Sequence, residues 1–309
     1  MDAATAGEDV PNVAAHPRGD RSAAERLASL TGLALGPETL WRLARQVGTA
    51  LADADAQAAA TVARTQAAAE PLDAAPGLLV VETAGVLLRS TDGWHEVKLG
   101  LVAGWEDGRL QRPGYLAARA SAEAFGGQLL AEAARWQGGV TGRGLAVLRA
   151  ALILGDGAAW IWKLADDHWT QRLEGVDFYH ASEHLATVAQ ALVADAADAR
   201  AWTTARCQEL LTAGPAPVLA ALRQATAATP PAREILRRDR GSFRQHAARM
   251  AYPTLRLDGL PIGSGAIEAA AAHVVQQRLQ RPGLRWSTAG ARAVLTRRAR
   301  DRSGRPLVA

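Results

Sequence analysis

The chain has 309 residues, 49% of them hydrophobic, enough for one large domain or two modest ones with a buried core, so disorder as the default is excluded. No run of about 18 uncharged apolar residues occurs and the N-terminus MDAATAGEDVPNVAAHPRGDR lacks the apolar stretch of a signal peptide. The expectation is a non-secreted cytoplasmic protein with no membrane contact. The single cysteine, Cys207, excludes an intrachain disulfide and a cysteine-cluster zinc site. Net charge is only +4, yet Arg233 to Arg305 holds sixteen arginines and no lysine against five acids, an excess of eleven positive charges. The rest of the chain is therefore about seven charges negative. Such polarity suits one face meeting a polyanion, since guanidinium matches phosphate in geometry as well as charge. It also suits a solvated face in a chain biased towards arginine, for Lys98 and Lys163 are the only lysines.

Residues 1–21 are small, polar and interrupted by proline, and read as a disordered lead-in. Residues 22–75 read as a helical region. Leu27, Leu30, Leu33 and Leu35, then Leu40, Leu43 and Val47, follow helical spacing around Gly36-Pro37, with Pro37 suited to a helix start. The second helix is expected to run to about Ala69, before Pro71 and Pro76. A DNA-reading helix-turn-helix and a plain helical hairpin both fit this pattern.

At Leu78 the pattern turns to β-type runs: LLVVET, GVLLRS and HEVKLGLVAGW, with Gly85 and Asp92-Gly93 as turn signals. Three antiparallel strands are predicted, then a short strand at 115–120 and an amphipathic helix from Ser121 to Trp136. The apolar run LRAALILGDG reads as a central strand stopping at Asp156, followed by a helix over 158–165 and a strand over 172–178. From Ala181 to about Ala251 the chain returns to helices. Ser264 suits the N-cap of a helix carrying Glu268, and Arg297 to Ala309 reads as a frayed basic tail. Strands and helices in this order predict an α/β protein.

Asp156 and Glu268 stand where acids are unusual, one closing a hydrophobic strand and the other on an alanine-rich helix after a glycine loop. Converging carboxylates from separate elements suit Mg²⁺ or Mn²⁺ and phosphodiester chemistry. A helix cap for Asp156 and a favourable first-turn charge for Glu268 account for them equally well. His95 reads as a surface residue. His180 and His184 are spaced i, i+4 but lack a third and fourth zinc ligand. Trp94, Trp160, Trp162 and Trp169 are expected in the core or on sheet faces, and Cys207 is expected to be inert.

The segments DGWHEVKLG (92–100), LGDGAAWIW (154–162), DFYHASEHL (177–185) and RMAYPTLRLDGLPIGSGAIEAA (249–270), continuing to RLQRPGLRWS (278–287), resemble the DDE transposases of bacterial insertion sequences, of the ISKra type. The resemblance spans roughly residues 78–300. It implies an RNase H-like mixed sheet with flanking helices over 76–300, a helical insertion over about 186–250, and a basic tail at 301–309. It implies that Asp156 and Glu268 match the second and third acids of a metal-binding triad, and that Asp177 and His180 match an Asp-x-x-His signature near the site. Arg278, Arg281, Arg285 and Trp286 would face DNA, Trp286 having an equally strong structural reading. DNA ends and target, a homo-oligomer on DNA, nucleoid association and Mg²⁺ or Mn²⁺ are implied with the family.

Two departures set this chain apart. Where the resemblance expects the first acid, in Val-Glu-x-Asp-Gly, the chain has Val81-Glu82-Thr83-Ala84-Gly85. Ala84 supplies no ligand, and Glu82, on the same strand face but roughly 7 Å away, is a weak substitute. The cysteine-rich segment found before the helical region in resembling proteins is also missing, which implies truncation. A large catalytic defect is expected, with a non-catalytic DNA-binding remnant or regulator as the other reading.

Overall fold

The computed structural model describes residues 17–65, 72, 77–137 and 151–307, with side chains from residue 23 onward. Two helices come first, α1 (Pro17–Thr31) and α2 (Pro37–Thr65). The first starts five residues before the predicted Ser22, so part of the expected lead-in is helical, and residues 1–16 lie outside the described ones. Three antiparallel strands follow: β1 (Leu78–Ser90), β2 (Gly93–Glu106) and β3 (Arg109–Ala118). Helix α3 (Ala122–Ala134) leads towards β4 (Ala151–Gly155), α4 (Ala159–His168) and β5 (Arg172–Val176). Helices α5 (Phe178–Leu192), α6 (Ala196–Ala213), α7 (Pro215–Gln224), α8 (Pro230–Gln245) and α9 (Tyr252–Leu257) form the helical stretch. The chain ends in α10 (Gly265–Ala270), a π-helical segment (Ala271–Gln276), α11 (Gln277–Leu279) and α12 (Thr288–Arg302).

The sheet order is β3-β2-β1-β4-β5, with β4 and β5 parallel to β1 and to each other. This mixed sheet flanked by helices is the RNase H-like α/β arrangement. LLVVET and GVLLRS are not two strands: Gly85 sits inside β1, paired with Lys98, and the strand continues to Ser90. A Cβ there would meet the end of the flexible Glu96 side chain, which would have to shift.

Period-two alternation divides the core between the sheet's faces. Leu79, Val81, Val102 and Ile153 pack with Phe125, Leu129, Ile161 and Leu185 of α3, α4 and α5. On the other face, Ala84, Leu88, Leu99 and Leu101 pack with Ile267, Val275, Trp286 and Leu295 from the α10 to α12 region. Val80, Leu152 and Leu154 meet Leu255 of α9 on a smaller patch. Each fully buried leucine of this kind contributes about 2 kcal/mol of transfer free energy.

The N-terminal helices belong to this body. A Cβ on Gly48 of α2 would approach the Ala293 carbonyl oxygen to 2.4 Å, so α2 and α12 meet backbone to backbone. Arg292 pairs with Asp53 at 2.8 Å and Arg300 with Asp55 at 2.6 Å. The predicted fraying after Arg297 does not occur, because α12 runs to Arg302. Beyond it, the Ser303 hydroxyl accepts from the Tyr115 amide at 2.8 Å and Arg305 reaches the buried Glu132 at 2.9 Å.

Candidate active site

The site begins where β4 stops. Thr83 pairs with Gly155 at the last rung of the parallel β1–β4 ladder, and Ala84 and Asp156 each follow directly on it. Gly157, at φ +96°, turns the chain away into α4. Asp156 Oδ1 accepts the Ala158 amide at 2.9 Å, so this carboxylate caps the turn and still faces the cavity with its other oxygen unassigned to any partner.

That cavity, about 680 Å³, brings together Ala84, Asp156, His180 and Glu268. Partial burial raises the Glu268 carboxyl above its ordinary range, and the negative charges of Asp177, Glu183 and Asp156 push the same way. Arg89, Arg281 and Trp94 stand at the rim. Trp94 is 64% exposed, against the expectation of a core or sheet-face residue, because it sits next to the β1–β2 turn. Trp162 and Trp169 are buried as expected, and Trp160 is half-buried beneath the Lys98 ammonium.

Asp177 is buried and is not among the residues lining the cavity. Its Oδ1 accepts the amides of Tyr179 at 2.6 Å and His180 at 3.1 Å, capping α5. Its Oδ2 accepts the Ser264 amide at 2.6 Å and the Ser264 hydroxyl. All its acceptor capacity is spent on tying the start of α5 to the loop that launches α10, so Asp177 positions His180 and Glu268 and does not itself face a ligand.

Ser264 stands at the α10 N-cap, yet its side chain makes no cap bond, having turned to Asp177. Glu82 takes over that duty: its Oε2 accepts the Ile267 amide at 2.9 Å. The carboxyl is 2% exposed, and burial pushes it up to about 7 against the lowering effect of the Ile267 amide. Asp177 and Glu268 raise it further. Glu82 does not line the cavity and is no substitute for an acid at position 84.

The helix carrying Glu268 passes into the π-helical segment, whose widened turn frees carbonyls. Arg298 of α12 captures two of them, donating through Nε to His273 at 2.9 Å and to Val274 at 3.1 Å. Of the expected DNA-facing residues, Arg281 and Arg285 are exposed, and Arg278 lies half-buried against the Trp286 ring. Trp286 is 1% exposed, donates Nε1–H to the Leu279 carbonyl at 2.9 Å and packs 6.0 Å from Trp41. It is a core residue and offers no stacking surface.

Among the described residues no group of three or more His, Cys, Asp or Glu side chains is placed to hold a metal ion. The cavity offers two carboxylates, one already bonded to a backbone amide, so a divalent cation held here would draw most of its ligands from water or a substrate phosphate. No family model matches the chain and no curated protein matches it.

Proposed function

We propose that this chain is a transposase-like DNA-processing protein of the DDE type whose catalytic centre lacks its first acid. The observation that carries the reading is the convergence of position 84, Asp156 and Glu268 on one cavity of an RNase H-like sheet, in the elements where such a triad would stand. In the ancestral reaction Mg²⁺ or Mn²⁺ would serve hydrolysis at element ends and transfer of the 3′-hydroxyl to target DNA. No step of that chemistry is assigned to the present chain, since its donors do not complete the site.

Arg89 and Arg281 at the cavity rim and the exposed Arg285 nearby support DNA as the partner, through phosphate contacts that set register without reading bases. The face of α2 toward α12 is occupied, so any base reading by the N-terminal helices would use its outer face. Assembly as a homo-oligomer on DNA near the nucleoid belongs to the same proposal. Among the described residues no helix is long and apolar enough to cross a membrane.

Ala84 favours a second reading, a non-catalytic remnant that occupies DNA in competition with an intact transposase. Titration with Mn²⁺ tests the catalytic ancestry that both readings share. In Ala84→Asp a third carboxylate joins Asp156 and Glu268, and binding should tighten at least tenfold over the unaltered chain. Equal, weak binding by both chains would mean that the cavity is no metal site and that the catalytic ancestry is wrong.

A further inference from the structure

Behind the cavity wall a line of three side chains crosses from α5 to α8. Asp239, fully buried on α8, receives His184 Nδ1 at 3.0 Å. His184 Nε2 lies 3.1 Å from Nε2 of His180, one helical turn earlier on α5. His180 lines the cavity. A carboxylate only accepts, so the proton of the first contact sits on His184 Nδ1. Two ring nitrogens at 3.1 Å hold one proton between them, so His180 Nε2 and His184 Nε2 share a single hydrogen.

We infer that Asp239 and His184 are positioning residues that make His180 the proton acceptor of the cavity. In the neutral pair, His180 Nε2–H donates to His184, and Nδ1 of His180 carries the free lone pair. When Nδ1 takes a proton from an oxygen acid in the cavity, the shared proton moves to His184 Nε2. Positive charge then rests on the imidazole that Asp239 faces, and release of the Nδ1 proton to solvent reverses both shifts. One proton enters and one leaves; no bond other than N–H is made or broken at the histidines. The inference rests on the proposed function only for the identity of the donor, a water or hydroxyl that attacks a phosphodiester.

The surroundings of the pair are mixed in sign. Asp239 also accepts from Arg238 at 2.8 and 3.1 Å. His246, just after α8, is held towards its neutral form by burial first and then by Arg249, His180 and His184. Glu183 lies on α5, and Asp156 and Glu268 stand across the cavity. Arg238 Nε donates to the same Oδ1 that His184 meets and its Nη2 to Oδ2, so the buried carboxylate is shared between the guanidinium and the imidazole.

The test is ¹⁵N-histidine NMR of the full chain, with His180→Gln and His184→Gln assigning the two rings. The expected spectrum has His184 protonated at Nδ1, the less common tautomer in water, and His180 unprotonated at Nδ1. Asp239→Asn presents an amide that can donate as well as accept, so His184 should lose its fixed Nδ1–H and both rings should show mixed tautomers. His184→Gln keeps an amide beside His180 that can donate or accept, so His180 should lose its single tautomer. A His184 ring protonated at Nε2 with Nδ1 bare, or a neutral His180 ring protonated at Nδ1, in the unaltered chain overturns the inference without recourse to any variant. None of these readouts uses DNA cleavage. A linked histidine pair in a chain whose Ala84→Asp variant binds no cation would leave the relay standing and the transposase reading refuted.

Discussion

Replacing Glu82 by glutamine should stabilise the protein at neutral and alkaline pH and flatten its pH dependence. The Glu82 carboxyl sits at about 7 in the folded chain against 4.5 ordinarily, so the folded state retains a proton that the unfolded state gives up. Stability from this group is fully present below about pH 4.5 and is lost as pH rises through 7. The difference of about 2.5 units corresponds to about 3 kcal/mol across that window. Glutamine keeps an oxygen to accept the Ile267 amide, so the cap on α10 survives while the buried charge is removed. Urea denaturation of both chains at pH 5, 6, 7 and 8 measures it. The advantage of Glu82→Gln should grow with pH, by about 2.5 kcal/mol between pH 5 and 8. A constant difference would refute the reasoning, because it would mean that Glu82 ionises alike in the folded and unfolded chain.

Trp286→Ala should cost about 3–5 kcal/mol, since it empties a fully buried site and strands the Leu279 carbonyl; calorimetric or urea unfolding near wild-type stability would contradict the core assignment. Gly48→Ala should destabilise by about 1–3 kcal/mol because its Cβ meets the backbone of α12 at 2.4 Å, and unchanged unfolding would show that α2 does not pack there. Arg281→Ala with Arg285→Ala should weaken binding of duplex DNA uniformly over sequence and lower the slope of log K against log salt by about 2, as two lost phosphate contacts require. An unaltered slope would remove these arginines from the DNA interface.

The sheet was legible because its strands are β-type apolar runs and ALILG, an interior strand, is apolar on both faces. Gly85 misled because a glycine inside a strand and a glycine in a turn look alike until the opposing residue, here Lys98 of β2, is known. The end of the chain misled for a similar reason. Arg300 and Arg305 read as solvated charge, and their partners Asp55 and Glu132 lie 245 and 173 residues away. Trp286 carried both a core and a DNA reading in sequence, and only the packing of Trp41 and the Leu279 carbonyl decided between them.

Within the cavity, Asp156, His180 and Glu268 were legible from motif order, and the structure brings them together. Asp177 was legible as a polar position but not in its duty, since its two chief partners on Ser264 lie 87 residues on. Glu82 was weighed only as a ligand because α10 contacts cannot be read from the strand that holds it. Asp239 left no signal at all: an acid next to arginines on an amphipathic helix looks solvated, and only the fold brings it to His184.

The most direct measurement is nicking and strand transfer with Mg²⁺ or Mn²⁺, comparing the unaltered chain with Ala84→Asp on DNA that includes the flanks of its own gene. The account predicts product from Ala84→Asp and, from the unaltered chain, none or at least a hundredfold less, since one missing carboxylate removes several kcal/mol of charge stabilisation. Equal activity of the two chains would contradict it, because position 84 would then have no part in the chemistry.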